Sequence, residues 1–151
     1  MRKKICSFIS IAICLLIISL CIVFFNSYKI IIVKGNSMSP TLSSGNILLA
    51  KKDTSIVYYA DIVIADVEFE KTERIIKRVV AMEGDKVSII DGKLFINNLE
   101  MDKYHCHGEN KEFIVEKNNI FVLGDNADDS TDSREFGTIS LKDVIAVVDN
   151  K

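Results

Sequence analysis

The stretch Val87-Ser-Ile-Ile-Asp-Gly-Lys-Leu-Phe-Ile96 places two short apolar runs on either side of Asp91-Gly92. Ile, Val and Phe favour strands, and an Asp-Gly pair between two such runs is typical of a two-residue type I′ turn. The stretch therefore predicts a β-hairpin. Similar apolar segments, separated by Gly, Asn, Asp and Ser, extend the prediction in both directions, and the expected strands are Lys29–Val33, Asn46–Ala50, Asp61–Ala65, Arg74–Val80, Lys86–Ile90, Lys93–Ile96, Ile120–Leu123 and Val144–Val148.

The N-terminal end of the chain differs from the rest. Ile5 to Phe25 is an uncharged, mostly apolar run of 21 residues, which as a helix would span the roughly 30 Å hydrocarbon core of a bilayer. Large residues stand where a cleaved signal sequence would have small ones, so an uncleaved anchor is favoured over an unusual signal peptide. Arg2, Lys3 and Lys4 precede the run and predict a cytoplasmic N-terminus.

This pattern predicts three parts: a cytoplasmic N-terminus at residues 1–4, a transmembrane signal anchor at 5–25 and an extracytoplasmic domain at 26–151. The chain has 151 residues, which is enough for a single core. No helical stripe of three turns follows the anchor. The predicted fold is therefore mostly β, an antiparallel sheet or barrel-like domain on an N-terminal transmembrane helix.

Charge and cysteine content narrow the function classes. Three of the 19 basic residues precede the apolar run, which leaves 16 against 21 acids and a net charge of −5 beyond it. Such an acidic domain is not expected to bind nucleic acid. Three of the four cysteines lie in the apolar run, and the domain keeps only Cys106, so no internal disulfide is expected.

Ser37 lies in the segment Gly35-Asn-Ser-Met-Ser-Pro-Thr-Leu42. Ser39 is a candidate cap for a short helix with Pro40 at its first position, ending near Gly45. Ser37 would then lie beside backbone N–H groups that could stabilise an oxyanion. An ordinary Ser-rich turn is the alternative interpretation.

Lys77 lies in the predicted strand Arg74-Ile-Ile-Lys-Arg-Val-Val80. Strand alternation puts Lys77 on one face with Ile75 and Val79, and Arg78 on the other. Burial among apolar side chains would lower the pKa of the Lys77 amine. An amine that extends past the strand edge into solvent is the alternative.

The segment Gly124-Asp-Asn-Ala-Asp-Asp-Ser-Thr-Asp-Ser-Arg134 is rich in acids, but it lacks the Gly and Glu positions of a calcium loop. Asp132 and Arg134 are well spaced to pair, with Arg78 as a third partner. A solvated acidic turn is the bland alternative. His105-Cys106-His107 lacks the spacing of a closed metal site, and a Ser-His-Asp triad through either histidine is a minor alternative. Neither a metal nor another cofactor is expected.

In combination, these motifs resemble those of bacterial type I signal peptidases, the membrane-anchored Ser-Lys proteases. The order matches: an apolar N-terminal run, then Ser37–Leu42, then Ile76–Val80, then Gly124–Arg134. The short interval between the last two motifs resembles the compact form common in Gram-positive bacteria.

The resemblance implies a role for each matching residue. Ser37 would be the nucleophile, Lys77 the general base and Ser130 the hydroxyl that orients the amine. Structural support would come from Asp125, Asp132, Arg134 and Arg78. The residues that match positions lining shallow substrate pockets are Val33, Met38, Leu42, Ile75 and Ile76.

The implied substrates are signal peptides of exported preproteins, cleaved at the outer face of the cell membrane. In some family members a Ser hydroxyl that donates to the oxyanion stands where this chain has Gly35. The resemblance therefore does not identify the second oxyanion donor of this chain. A relative dedicated to one substrate and a catalytically degenerate, membrane-tethered peptide-binding domain are the alternatives. The sequence does not predict an oligomeric state.

Overall fold

The computed structural model of the protein describes residues 2–106 and 109–148, with side chains from residue 11 onward. Helices are few and strands dominate, as the sequence predicts. The helices are α1 (Arg2–Ser27) and α2 (Ser133–Phe136), with a 3₁₀ turn at Leu141–Asp143. The strands are β1 (Tyr28–Ile32), β2 (Ile47–Lys51), β3 (Ile62–Phe69), β4 (Lys71–Met82), β5 (Lys86–Ile90), β6 (Lys93–Ile96), β7 (Leu99–His105), β8 (Lys111–Ile114), β9 (Asn119–Leu123), β10 (Ile139–Ser140) and β11 (Val144–Val148).

Two antiparallel sheets make up the domain. The larger has the strand order β1-β2-β11-β3-β4-β9-β10, and the smaller has the order β7-β6-β5-β8. Every pairing between described strands is antiparallel, which confirms the mostly β, antiparallel prediction. The described pairings leave β1 and β10 as edges of the larger sheet, so that sheet is not a closed barrel.

The hairpin predicted at Asp91-Gly92 is present between β5 and β6. Ile90 pairs with Lys93 across a two-residue turn. Asp91 has φ +49° and Gly92 has φ +77°, and positive φ at both positions is the requirement of a type I′ turn.

Strand β9 separates two hydrophobic clusters. Ile120 and Val122 lie on one face of β9, in a cluster with Val79 of β4. Phe121 and Leu123 lie on the other face, in a cluster with residues of the smaller sheet. Because successive side chains alternate across a strand, β9 is apolar on both faces and buried. It therefore fixes where the following segment, Gly124–Arg134, leaves the core.

Helix α1 leads directly into β1. Its described large apolar side chains, from Ile11 to Phe25, are 40–61% exposed. Within the described part of the chain, no helix combines the length and apolar character needed to cross a bilayer. The predicted topology signal at Arg2, Lys3 and Lys4 depends on side chains outside the described part.

The prediction of a short helix after Ser39 is wrong. Residues 37–41 form turns, in which Ser39 N–H donates to the Asn36 carbonyl and Leu42 N–H to the Met38 carbonyl. The next turn is closed by Ser43 N–H, which donates to Asn46 Oδ1 (2.8 Å). Gly45, within this turn, has φ +91°. These local bonds satisfy the backbone within turns, so Ser39 caps no helix.

Candidate active site

Strand β4 carries Lys77 into the interior. The exposure of β4 falls towards its C-terminal half, where Lys77, Val79 and Ala81 are buried, as the alternation predicts. Lys77 is 4% exposed. Its Nζ donates to Ser37 Oγ at 2.7 Å, across 40 positions of sequence. The fold therefore brings the predicted hydroxyl and the predicted amine into direct contact.

The environment of the amine disfavours its charge. Burial lowers the pKa of Lys77, and nearby Arg134 acts in the same direction, while Asp132 and Asp129 act against it. Among the described residues, Lys77 forms no ion pair. The balance leaves an amine that loses its proton more readily than an ordinary lysine.

The segment after β9 holds the Ser37 turn in place. Asn126 N–H donates to the Ser37 carbonyl at 2.9 Å, and Asn126 Nδ2 donates to the Asn36 carbonyl at 3.2 Å. Gly124 makes this approach possible, because a Cβ there would lie 2.5 Å from the Ser37 carbonyl oxygen and closer still to Ser130 Oγ. The sequence predicts no contact with the Ser37 turn for Gly124 or Asn126. Both residues lie in the motif Gly124–Arg134, which is the signal that could have indicated them.

Asp132 organises the far end of the same segment. It is fully buried and caps α2 by accepting from Arg134 N–H. Its carboxylate also accepts from Gly124 N–H (3.0 Å) and from Arg134 Nε (2.8 Å), so the predicted Asp132–Arg134 pair is present. Each donor comes from the chain within eight residues, and the network rigidifies the loop that faces Lys77.

Ser130 is placed beside this network. Its hydroxyl donates to Asp132 Oδ2 at 2.7 Å. No hydrogen bond between Ser130 and the Lys77 amine is present among the described residues, although the sequence reading expected Ser130 to orient the amine. The charged carboxylate two residues away is a stronger acceptor for the hydroxyl hydrogen.

Arg78 does not join the Asp132–Arg134 pair, which corrects the prediction of a third partner. It forms a two-pronged ion pair with Asp125, at 2.8 Å from Nε and 2.5 Å from Nη2. The reason is strand alternation: Arg78 leaves β4 on the face opposite Lys77. Burial opposes ionisation of Asp125, but hydrogen bonds from Arg78, Lys103 and Thr41 outweigh it and hold its pKa well below the usual range.

A cleft of about 510 Å³ opens in front of the Ser37–Lys77 pair. Residues 30–32 of the edge strand β1 and residues 74–77 of β4 both line it. Of the predicted pocket residues, the cleft has Val33, Met38, Ile75 and Ile76 in its wall, although Met38 is only 1% exposed. Leu42 does not line it and packs instead against a third hydrophobic cluster, which includes Ile62 and Ile64 of β3, because the turn at 37–41 directs it inward.

His105 and Cys106 do not line the cleft between β1 and β4, although both contact Arg134. Cys106 is buried and the His105 carbonyl accepts from Arg134 Nη1 (2.6 Å). His107 lies outside the described residues. Within the described ranges, no cluster of three or more His, Cys, Asp or Glu side chains could hold a metal ion.

Comparisons with known proteins identify the family of this chain. A family model described as "Signal peptidase, peptidase S26" matches residues 2–150. A signal peptidase I of Bacillus caldolyticus is 30% identical, over 78% of this chain and 75% of the relative. A signal peptidase I P of Bacillus subtilis subsp. natto is 32% identical, over 77% of this chain and 72% of the relative.

Among solved structures, the signal peptidase I of Enterococcus faecalis V583 matches with a TM-score of 0.48 and 26% identity, over 61% of this chain and 96% of that one. The family model and the two Bacillus relatives make this chain a peptidase. More narrowly, the chain belongs to the signal peptidase family, peptidase S26, as the sequence motifs indicate.

Proposed function

We propose that this protein is a membrane-bound serine endopeptidase that cleaves signal peptides from exported preproteins, with Ser37 as nucleophile and Lys77 as general base. The observation that carries the proposal is the 2.7 Å contact between a buried Lys77 amine and Ser37 Oγ. A serine hydroxyl is a weak nucleophile until an adjacent base takes its proton, and a neutral amine can do so.

The shifted pKa of Lys77 is essential to this role. An ordinary lysine with a pKa near 10.4 is neutral in only about one molecule per thousand near pH 7. A general base that works near neutral pH therefore needs surroundings that lower the pKa of its amine. Burial, the first cause of the lowered pKa of Lys77, acts in that direction.

The chemical steps follow from the contact. Ser37 Oγ attacks the scissile carbonyl while its proton moves to Lys77 Nζ, and the amine then protonates the leaving nitrogen. Water hydrolyses the resulting acyl-enzyme, again with Lys77 as base. The Ser37 N–H, which donates to no acceptor among the described residues, is available to the oxyanion.

The remaining predicted roles complete the site. Ser130 and Asp132, which hydrogen-bond each other, order the segment that faces the Lys77 amine. The same segment is held by the ion pairs Arg134–Asp132 and Arg78–Asp125. The substrate lies in the cleft between β1 and β4, where Val33, Ile75 and Ile76 contact the small side chains before the cleaved bond. No metal or other cofactor takes part in this scheme.

We also propose that α1 anchors the domain at residues 5–25, with residues 1–4 cytoplasmic and the domain at residues 26–151 on the outer face. Support comes from the uncharged run and from the exposure of the apolar side chains after Ile11. Enzyme and signal peptide would then share the bilayer, which raises their effective concentration.

The test is to incubate the detergent-solubilised protein with a purified preprotein and to sequence the new N-terminus. We expect cleavage after a small residue by the native chain and none by Ser37→Ala or Lys77→Ala. Lys77→Arg is also expected to be inactive, because a guanidinium stays protonated. Normal processing by any of these folded variants would exclude the Ser-Lys mechanism.

The same assay separates the alternatives. A degenerate peptide-binding domain would bind the signal peptide without cutting it. An enzyme with one dedicated substrate would cut a single preprotein from a panel, whereas a general enzyme would cut most of them.

A further inference from the structure

A second ion pair on Asp125 links the smaller sheet to the site. Lys103 of β7 lies 2.8 Å from Asp125 Oδ1, on the carboxylate that also binds Arg78. The side chain of Asp125 is fully buried, whereas that of Lys103 is 52% exposed. A buried carboxylate is sensitive to the loss of either cation, because the remaining charge cannot be solvated freely.

Asp125 lies between two residues that touch the nucleophile turn. Gly124 packs against the Ser37 carbonyl oxygen, and Asn126 N–H donates to that same oxygen. Fixing Asp125 therefore fixes the backbone that supports Ser37. Neither Lys103 nor Asp125 lines the cleft between β1 and β4.

The smaller sheet grips the other end of this segment as well. The carbonyl of His105, at the end of β7, accepts from Arg134 Nη1 at 2.6 Å. Lys111 of β8 donates to the Arg134 carbonyl at 3.2 Å. Strand β7 thus contacts the segment near its beginning, through Lys103, and near its end, through His105.

We propose that Lys103 is a positioning residue: it holds Asp125, and through residues 124–126 it holds Ser37 in line with the Lys77 amine. The catalytic consequence rests on the proposed function. The mechanical claim concerns backbone order alone and can be measured without any substrate.

The test compares Lys103→Met and Lys103→Arg with the matched control Lys93→Met, which removes a surface ion pair with Glu100 in the same sheet. Lys103→Met should lower kcat on a signal-peptide substrate about 3- to 10-fold and leave KM within about 2-fold, since Lys103 is outside the cleft. Lys103→Arg should restore kcat, and Lys93→Met should match the native chain.

Two further measurements complete the design. In an Asp125→Asn background, Lys103→Met should cost nothing more, because the partner carboxylate is gone. Hydrogen exchange of the Asn126 amide should be faster in Lys103→Met than in Lys93→Met. An Asn126 amide equally protected in both variants, or a kcat for Lys103→Met equal to that of Lys93→Met, would overturn the proposal. Failure of the Ser-Lys mechanism would show instead as an active Ser37→Ala, and the exchange result would still decide the role of Lys103.

Discussion

Two neighbouring basic residues on β4 have opposite surroundings. Lys77 points into the interior, and its amine pairs with no described carboxylate. Among the described residues the amine hydrogen-bonds only to the Ser37 hydroxyl, and its pKa is lowered first of all by burial. Arg78 points to the other face and pairs with Asp125, and the hydrogen bond to that carboxylate raises its pKa.

The difference shows how one strand can supply both chemistry and support. A base must be able to lose its proton, so it must be buried without a close anion. A structural cation must keep its charge, so it is paired with a buried carboxylate, and Arg is suited to this because its fork matches a carboxylate. Strand alternation separates the two environments by a single residue.

The largest expected effect comes from removing the amine. Lys77→Met keeps the length and apolar packing of the side chain but deletes the base, and we expect kcat to fall by at least about 1,000-fold. Lys86→Met, which removes an exposed ion pair with Glu112, is the matched control and should keep full activity. Residual cleavage above about 1% in Lys77→Met would contradict the role of Lys77 as base.

The same variant should gain stability while it loses activity. Between the lowered pKa of Lys77 and about 10.4, the unfolded chain carries a proton that the folded chain lacks, so native stability rises with pH in that window. Lys77→Met removes this cost, and urea unfolding near pH 7 should show a gain of about 1 kcal/mol. The gain should shrink as the pH approaches 10.

Removing Arg78 should instead destabilise the fold. Arg78→Met leaves Asp125 with Lys103 alone, and we expect a loss of about 2–3 kcal/mol in the free energy of unfolding. Because the pKa of Asp125 is lowered, its contribution to native stability is present above about pH 4 and is lost as the pH falls further. The unfolding free energy of the variant should therefore change less with pH in the acidic range. Unfolding curves between pH 3 and 7 measure both effects.

Gly124→Ala tests how Ser37 is positioned relative to Lys77 without changing the lysine itself. The added Cβ would meet the Ser37 carbonyl and Ser130 Oγ, so the nucleophile must shift. A displacement of about 1 Å can lower a rate about 100-fold, and we expect a fall of about 10- to 100-fold in kcat in a folded protein. Unchanged kcat would mean that this close approach does not position Ser37.

The smallest expected effect is at an exposed pair on the same strand. Arg74 binds Asp66 through two hydrogen bonds, but the two side chains are 51% and 38% exposed. Arg74→Met should cost at most about 0.5 kcal/mol in unfolding free energy. A loss as large as that of Arg78→Met would show that burial does not decide the strength of these pairs.

Much of the fold follows from local chemistry in the sequence. The eight predicted strands are present because their Ile and Val residues alternate and their turns carry Gly, Asn or Asp. Strands β7 and β8 were missed, since each lies at an edge of the smaller sheet and has mostly polar, exposed residues. The two-residue strand β10 carries too little pattern to detect.

The site was predictable as a set of residues but not as a set of contacts. The motifs indicate Ser37, Lys77 and Asp132, yet the partner of Arg78 depends on which face of β4 it leaves. The roles of Gly124 and Lys103 depend on how distant segments approach one another, which spacing along the chain does not encode. The helix predicted after Ser39 failed because local turn bonds satisfied the backbone first.

The most direct test of the account is to titrate the Lys77 side chain by NMR on lysine-labelled protein, with Lys77→Met identifying its resonance. We predict that this amine loses its proton well below pH 10, at a pKa that also sets the acidic limb of kcat/KM. A Lys77 amine that titrates at the ordinary lysine value of about 10.4 would rule out a Lys77 base.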